Sequence, residues 1–206
     1  MLFRSVTFVA AGPCTIAADQ AGNGSFLAAP EATQSFTIVK QAQTITFAST
    51  APSLPLVGSS YVVSATASSE LAVSVTSLTT GTCTLAGNTV TFVAAGPCTI
   101  AANQSGNSLF LPAPERSQTI TVITAAQAVV NLMTTINTMG LTAGEATSLS
   151  ATLNNINMAN LNAACGKLNA FVNKVNADAA SGRLSAGAAT QLLQAAKAIQ
   201  SSAGCP

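Results

Sequence analysis

An internal repeat limits what this chain of 206 residues can fold into. Residues 7–18 read TFVAAGPCTIAA and recur letter for letter at 91–102, which is 84 positions later. The likeness continues to about residue 124, where QSGNSLFLPAPE follows the pattern of the earlier QAGNGSFLAAPE. Because 84 residues is the length of a small domain, the repeat predicts a tandem array of domains rather than the turns of a solenoid.

The repeat divides the chain into three segments. Residues 1–40 match only the second half of the repeated unit, residues 41–124 form one whole unit, and residues 125–206 lie outside the repeat. We therefore expect the chain to open in the middle of a unit. The opening MLFRSVTFVAAGPC also has the early arginine and small residues of a signal peptide. Since the same VTFVAAGPCTIAA lies deep inside the chain at 90–102, a pair of strands is the favoured interpretation.

Composition excludes two classes of partner. Only 6% of the residues are charged and the net charge is +1, so the chain lacks the basic surface that binds nucleic acid. No stretch approaches the roughly 18 to 20 unbroken apolar residues of a membrane-spanning helix. The apolar residues are largely Ala and Val interleaved with Thr and Ser, a pattern typical of secreted β proteins. We predict an extracellular or cell-surface location.

The whole unit, residues 41–124, reads as a series of short β-strands. Apolar and hydroxyl side chains alternate with period two at 44–47 and at 71–75. Gly87 and Asn88 separate two such runs and predict a tight hairpin, because glycine supplies the positive φ of that turn. About seven short strands with frequent turn signals predict an immunoglobulin-like β-sandwich.

Two cysteines of this unit are predicted to face its core. Cys83 lies on the same alternation as Leu85, and Cys98 lies on the same alternation as Ile100. A disulfide between them closes a short loop, worth about 3 kcal/mol by chain-entropy reasoning. The alternative is a pair of buried free thiols, which behave as small apolar side chains.

After Thr124 the period changes from two to 3.6, which predicts helices. Apolar stripes run through 129–139, 146–156, 161–175 and 189–199. Thr142 and Glu145 have the spacing of a capping box, and Ser185 is placed to cap the fourth helix. Short connections favour a small antiparallel bundle of four helices.

The other three cysteines receive separate predictions. Cys165 on the third predicted helix and Cys205 just beyond the fourth can form a second disulfide, worth roughly 3 to 5 kcal/mol. Cys14 is the repeat equivalent of Cys98, and its expected partner falls before Met1. Cys14 is therefore predicted to be unpaired.

Residues 41–124 resemble the Ig-like repeats of large bacterial secreted and cell-surface proteins. The resemblance rests on the paired cysteines around a Gly-Asn hairpin and on the NQSGN loop that follows, and it extends to 6–40 in the second half of the unit. It implies a spacer, stalk or adhesion module and no reaction. The implied partners are neighbouring repeats of the same parent chain, and an extracellular protein or glycan.

Residues 128–203 resemble the short C-terminal helical domain of the FIMAH type, found in secreted bacterial proteins. The motifs are Met-Gly-Leu at 139–141, LNAFVNKV at 168–175 and Leu-Ser-Ala at 184–186. The resemblance implies no catalytic residue.

The residue inventory argues against an enzyme. The chain has no histidine, which excludes Ser-His-Asp and Cys-His catalysis and imidazole metal ligation. A glycosidase needs two converging carboxyl groups, and the sequence brings none of its six together. The six are Asp19, Glu31, Glu70, Glu115, Glu145 and Asp178.

The DQAGN loop that begins at Asp19 is a candidate calcium site, because calcium is bound by carboxylate and amide oxygens. The second copy has Asn103 in place of Asp19, so an Asx-type turn is the simpler interpretation. We predict no metal and no cofactor.

The sequence therefore predicts a non-catalytic structural, spacer or adhesion segment of a secreted or cell-surface bacterial protein. The alternative is an accessory carbohydrate- or protein-binding module of a larger secreted hydrolase. Tyr61 is the sole tyrosine and tryptophan is absent, which disfavours a surface for stacking sugars.

Overall fold

The computed structural model describes residues 5–206, and within them it has ten β-strands followed by four α-helices. The strands are β1 Gly12–Gln20, β2 Ala29–Ile38, β3 Ile45–Phe47, β4 Ser60–Val62, β5 Ala65–Ala67, β6 Ser74–Ser77, β7 Cys83–Ala86, β8 Thr89–Phe92, β9 Gly96–Asn103 and β10 Arg116–Val122. The helices are α1 Ala125–Thr138, α2 Ala143–Leu153, α3 Leu161–Ala180 and α4 Ala186–Ala203. Residues 1–4, where the predicted half unit 1–40 and the alternative signal peptide both begin, lie outside this description.

The predicted immunoglobulin-like β-sandwich is wrong. The protein is an α+β protein whose strands form small antiparallel sheets, and no sandwich or repeated domain is evident in the described residues. The sheets have the strand orders β1-β2, β10-β9-β6, β3-β5 and β4-β8-β7. Strands β3 to β8 contain only three or four residues each. Strands this short make fragments of sheet rather than two continuous layers that face each other across a core.

The residues group into two compact units whose boundaries differ from the three segments 1–40, 41–124 and 125–206. The first unit combines the described part of Met1–Phe47 with Ala65–Ser74 and Ala102–Arg116. The second unit combines Ala48–Ser64, Val75–Ala101 and Ser117–Pro206.

In the first unit the longest sheet is the β1-β2 hairpin. Gly12 pairs with Ile38 and Cys14 pairs with Phe36, and the register shifts after Ala18. The apolar side chains of this hairpin remain at least partly accessible, in contrast to most sheet faces that pack on a core.

The loop 104–110 is hydrogen-bonded through its main chain to other segments of the first unit. Its main chain is held from two sides: the Ala11 amide donates to the Ser108 oxygen (2.9 Å), and the Gln41 amide donates to the Leu109 oxygen (2.8 Å). The Leu111 amide donates back to the Gln41 oxygen (2.8 Å). The loop therefore lies between residues that are remote in the sequence.

A buried glutamine, Gln43, links three segments of this unit through side-chain hydrogen bonds. The Gln43 Nε2 donates to the Gln104 Oε1 and to the Leu111 oxygen, both at 2.6 Å, and the Ser69 hydroxyl donates to the Gln43 Oε1. Because each polar atom of the side chain has a partner, its burial carries no penalty for an unmade hydrogen bond.

In the second unit the four helices begin at residues that accept hydrogen bonds from the first turn. Thr124 and Thr142 each form a complete capping box, with Gln127 and Glu145 respectively, and the Ser185 hydroxyl accepts from the Ala188 amide. These bonds satisfy amides that have no partner inside the helix.

The helices enclose a core that also takes residues from the strand region. The buried apolar residues of this core are Leu56, Ala128, Val129, Leu132, Ile136, Leu149, Leu153, Leu168, Phe171, Val175, Leu184, Ala189, Leu192, Ala196 and Ile199. Leu56 forms a parallel bridge with Ile123, just before α1. None of the helices in the described residues has the length and apolarity that crossing a bilayer requires.

Candidate functional site

The structure brings together both of the cysteine pairs that the sequence favours. A disulfide joins Cys83 at the start of β7 to Cys98 in β9, with a Cα–Cα distance of 5.6 Å. A second disulfide joins Cys165 in α3 to Cys205 beyond α4, with a Cα–Cα distance of 5.5 Å. The open alternative of two buried free thiols at 83 and 98 does not hold in this structure. Cys14 is a free thiol and is half-buried.

The first disulfide lies in an apolar environment that the alternation of the strands creates. Cys83 and Cys98 are fully buried, as are Val90, Phe92 and Ile100. Strand β8 supplies two of these side chains because it is central, with β4 on one side and β7 on the other. The sulfur atoms are therefore shielded from solvent thiols.

Charged side chains converge at one place in the second unit, which we call the charged pocket. It is a cavity of about 290 Å³ lined by Thr142, Gly144, Glu145, Ser148, Lys174, Asp178 and Arg183. The pocket brings together Glu145 and Asp178, two carboxylates that lie far apart in the sequence. The sequence pattern does not predict that these two residues line the same pocket.

Both carboxylates of the charged pocket already have partners. The Asp178 side chain is buried, and its Oδ2 lies 2.9 Å from the Lys174 Nζ; its Oδ1 lies 3.8 Å from the Arg183 Nη1. The Glu145 Oε2 accepts from the Thr142 amide (3.1 Å) and from the Thr142 hydroxyl (2.8 Å). Two carboxylates and two cations leave the pocket with no formal net charge, so it has no excess charge of one sign to steer an ion toward it.

The sequence indicates one of the contacts in this pocket, the ion pair within α3. Lys174 and Asp178 are four residues apart on α3, and residues with this spacing face each other on a helix. Asp178 is not among the residues predicted to pair, although this spacing alone indicates the ion pair. Glu145 belongs to another helix, and only the packing of α2 against α3 brings it to Asp178.

The loops considered as calcium sites use their polar side chains internally. The Asn23 Oδ1 accepts from the amides of Ser25 (2.8 Å) and Phe26 (3.0 Å), which is an Asx-type turn. Asn107 makes the corresponding bonds in the second loop, at 2.8 and 2.9 Å. Asp19 is exposed. Over residues 5–206, no three His, Cys, Asp or Glu side chains are grouped so as to hold a metal ion.

Tyr61, the sole tyrosine, lies inside the second unit rather than on an open binding face. Its ring stacks on that of Phe92 with centroids 5.9 Å apart, and its hydroxyl donates to the Gln118 Oε1 at 3.1 Å. Burial raises the pKa of Tyr61 above its usual value of 10.0.

Fold and cysteines together define a small α+β protein stabilised by two disulfides, which is the pattern of proteins that fold in an oxidising compartment. No family model, curated protein or solved structure matches the chain. The resemblances to Ig-like repeats and to FIMAH-type domains therefore rest on the sequence motifs alone.

Proposed function

We propose that this chain is a non-catalytic structural segment, acting as a spacer or in adhesion, of a secreted or cell-surface bacterial protein. The observation that carries the proposal is the placement of the two disulfides. One ties the start of β7 to β9 inside a closed apolar core, and the other ties the end of the chain to α3. Covalent links of this kind keep a segment compact under load and in the absence of chaperones.

The FIMAH-type motifs of residues 128–203 support the same context, since domains of that type occur in secreted bacterial proteins. The Ig-like resemblance supports only a secreted or cell-surface location for the protein, because residues 5–206 form no sandwich of the kind that it implied. Among the described residues, the partners of Glu145 and Asp178 favour a structural role for the charged pocket. In hydrolysis a general acid must hold a transferable proton and a general base must direct a lone pair at the substrate, whereas both carboxylates here accept hydrogen bonds from neighbouring groups.

The alternative of a carbohydrate-binding accessory module receives less support. Tyr61 is half-buried and its ring packs on Phe92, so it does not present a free face to a sugar. We therefore retain the structural role as the proposed function.

Force spectroscopy tests the proposal on the whole chain. With both disulfides intact, stretching from the two ends cannot extend the residues between 83 and 98 or between 165 and 205. The pair C83A/C98A is expected to release about 5 nm of additional length, and the pair C165A/C205A about 14 nm. Unfolding of the oxidised chain at forces no higher than those of the double variants would contradict a load-bearing role.

A hydrolase assay tests whether the chain is non-catalytic, as the proposal states. The purified chain is expected to show no turnover on a panel of glycosides, esters and peptides. The matched variant is Glu145→Gln, because glutamine at this position preserves the capping box while it removes the carboxylate. Turnover that E145Q abolishes would overturn the proposal.

A further inference from the structure

The loop between β1 and β2 contains the single Asn-Gly pair of this sequence, Asn23-Gly24. A glycine after an asparagine leaves its own amide nitrogen uncrowded, because glycine has no Cβ. That nitrogen can attack the asparagine side chain and close a five-membered ring. Asn23 and Gly24 are both exposed, so water reaches the atoms that would react.

The side-chain oxygen of Asn23 lies between two hydrogen-bond donors. The Asn23 Oδ1 accepts from the Ser25 amide at 2.8 Å and from the Phe26 amide at 3.0 Å. When a nucleophile adds to the Asn23 Cγ, negative charge develops on this oxygen. Two amides that already point at the oxygen stabilise that charge, as the donors of an oxyanion hole do.

The nitrogen of Gly24 is free to act as the nucleophile. Within residues 5–206 the Gly24 amide has no hydrogen-bond partner, whereas the Asn23 amide donates to the Phe26 oxygen at 2.9 Å. Apart from its chain neighbours, no heavy atom lies within 4 Å of the position that a Cβ of Gly24 would occupy. The turn therefore holds the asparagine and leaves the next nitrogen accessible.

The second copy of the repeat has the same turn with a different residue after the asparagine. Asn107 is the equivalent of Asn23, and its Oδ1 accepts the two corresponding amide bonds at 2.8 and 2.9 Å. Ser108 takes the place of Gly24. The Cβ of a serine crowds its own amide nitrogen, so the chain contains a matched pair of sites that differ at the reacting residue.

The two loops also differ in how they are held. The Ser108 hydroxyl donates to the Val9 oxygen at 3.2 Å, and the Leu109 oxygen accepts from the Gln41 amide at 2.8 Å. In the described part of the chain, the loop 21–27 makes no main-chain hydrogen bond to another segment. The first loop can therefore change its main-chain path during ring closure without breaking such bonds.

We propose that Asn23 is a site of spontaneous modification, at which the Gly24 amide nitrogen displaces the side-chain amide as ammonia and water then completes the conversion to isoaspartate or aspartate. The inference goes beyond the proposed function, because a spacer or adhesion role assigns no chemical change to this loop.

The reaction needs no reactant other than water. The Gly24 nitrogen loses its proton to solvent and forms a bond to the Asn23 Cγ. The bond from Cγ to Nδ2 then breaks, and the leaving nitrogen takes up protons from solvent to depart as ammonia. Water opens the resulting succinimide at either carbonyl. Breaking the bond between the nitrogen and the original main-chain carbon gives isoaspartate, and breaking the bond to Cγ gives aspartate.

The two products have different effects on the loop. Aspartate keeps the acceptor oxygen and adds a negative charge. Isoaspartate takes the main chain through the former side chain and lengthens it by one carbon atom, so the bonds from Ser25 and Phe26 cannot keep their geometry. Phe26 and Leu27, which are 73% and 94% exposed, follow directly. We therefore expect the turn to open as the protein ages.

Incubation of the full oxidised chain at mildly alkaline pH tests the site. Peptide mapping by mass spectrometry, with fragmentation that distinguishes isoaspartate from aspartate, measures the rates at Asn23 and Asn107. We expect Asn23 to react about tenfold faster, because its neighbour lacks a Cβ. A synthetic peptide of residues 18–29, ADQAGNGSFLAA, is the unfolded reference, and the chain should react no more slowly than this peptide. Equal rates at the two asparagines, or a chain slower than the peptide, would overturn the proposal.

Reciprocal variants separate the glycine from the open loop. Gly24→Ser is expected to lower the rate at Asn23 to that of Asn107. Ser108→Gly creates an Asn-Gly pair in a loop that the bond between Gln41 and Leu109 still holds, and Asn107 should remain slower than Asn23. An unchanged rate in G24S, or an Asn107 in S108G as fast as Asn23, would contradict the proposal.

Limited proteolysis tests the opening of the turn. Chymotrypsin is expected to cleave the aged chain after Phe26 several-fold faster than the fresh variant Asn23→Asp, which carries the new charge on a main chain of normal length. Equal cleavage of the aged chain and N23D would overturn the predicted opening.

Discussion

Ser202, near the end of α4, donates a hydrogen bond of 2.7 Å from its hydroxyl to the main-chain oxygen of Val57, which lies 145 positions earlier. Val57 in turn donates its amide to the Ile123 oxygen at 3.0 Å. Leu56, beside it, is buried in the same apolar core as the helices. The helical part of the chain is therefore completed by a segment from the strand region.

Substitution of Leu56 tests this shared core. Leu56→Ala is expected to lower the free energy of unfolding by about 2 to 5 kcal/mol, because it removes a fully buried side chain and leaves a cavity. Leu78→Ala, at a position 57% exposed, is the matched control and should change stability by less than about 0.5 kcal/mol. Urea denaturation followed by the circular dichroism of the helices measures both. Equal effects of the two changes would show that Leu56 does not belong to the helical core.

Removal of either disulfide is predicted to lower the free energy of unfolding more than substitution of the free cysteine does. The double change C83A/C98A is expected to cost about 3 kcal/mol, and C165A/C205A, which opens a longer loop, about 3 to 5 kcal/mol. Cys14→Ala should be close to neutral, because Cys14 has no disulfide and is only half-buried. Thermal unfolding of the oxidised proteins measures these differences. A loss at C14A as large as that of either pair would be inconsistent with the assignment.

Gly106 is predicted to tolerate no side chain. Its φ is +76°, and a Cβ there would collide with the main chain of Phe110 and Leu111. Gly106→Ala is therefore expected to lower the free energy of unfolding by more than about 1 kcal/mol. Gly166, exposed within α3, has nothing within 4 Å of such a Cβ, and Gly166→Ala should stabilise the protein by about 0.5 to 1 kcal/mol. Chemical denaturation should give changes in the free energy of unfolding of opposite sign for the two variants. No change for G106A would contradict the prediction.

Tyr61 gives the protein a dependence on alkaline pH. Because burial raises the pKa of Tyr61 above 10.0, the hydroxyl keeps its proton in the folded state at pH values where the unfolded chain has lost it. This residue causes no loss of stability below pH 10.0. Above it, stability falls as the pH rises toward the folded pKa. Phenolate absorbance reports this titration alone, since the chain has no other tyrosine.

The measurement compares the native chain with the chain in denaturant. The midpoint should lie at higher pH in the native protein, and Tyr61→Phe should reduce the loss of stability at alkaline pH. Coincident midpoints in the two states would show that the ring is not desolvated.

The cysteine pairs and the charged pocket show which contacts of the candidate sites can be predicted from the sequence. Alternation in strands placed Cys83 and Cys98 on one face, and that reasoning needs only local geometry. The ion pair of Lys174 with Asp178 is equally local, because it follows from a spacing of four residues on one helix. The approach of Glu145 to Asp178 depends on how two helices pack, for which the sequence carries no simple pattern.

The sequence by itself determined the helices. Thr124, Thr142 and Ser185 cap α1, α2 and α4, and the apolar period of 3.6 selects the buried side, because helical hydrogen bonds join residues only four positions apart. Tertiary structure alone decided the sheets. The VTFV sequence at 90–93 contributes to β8, whereas the same letters at 6–9 form no strand. A β-strand needs hydrogen bonds to a partner strand from elsewhere in the chain. Identical residues therefore form a strand only where such a partner is in place.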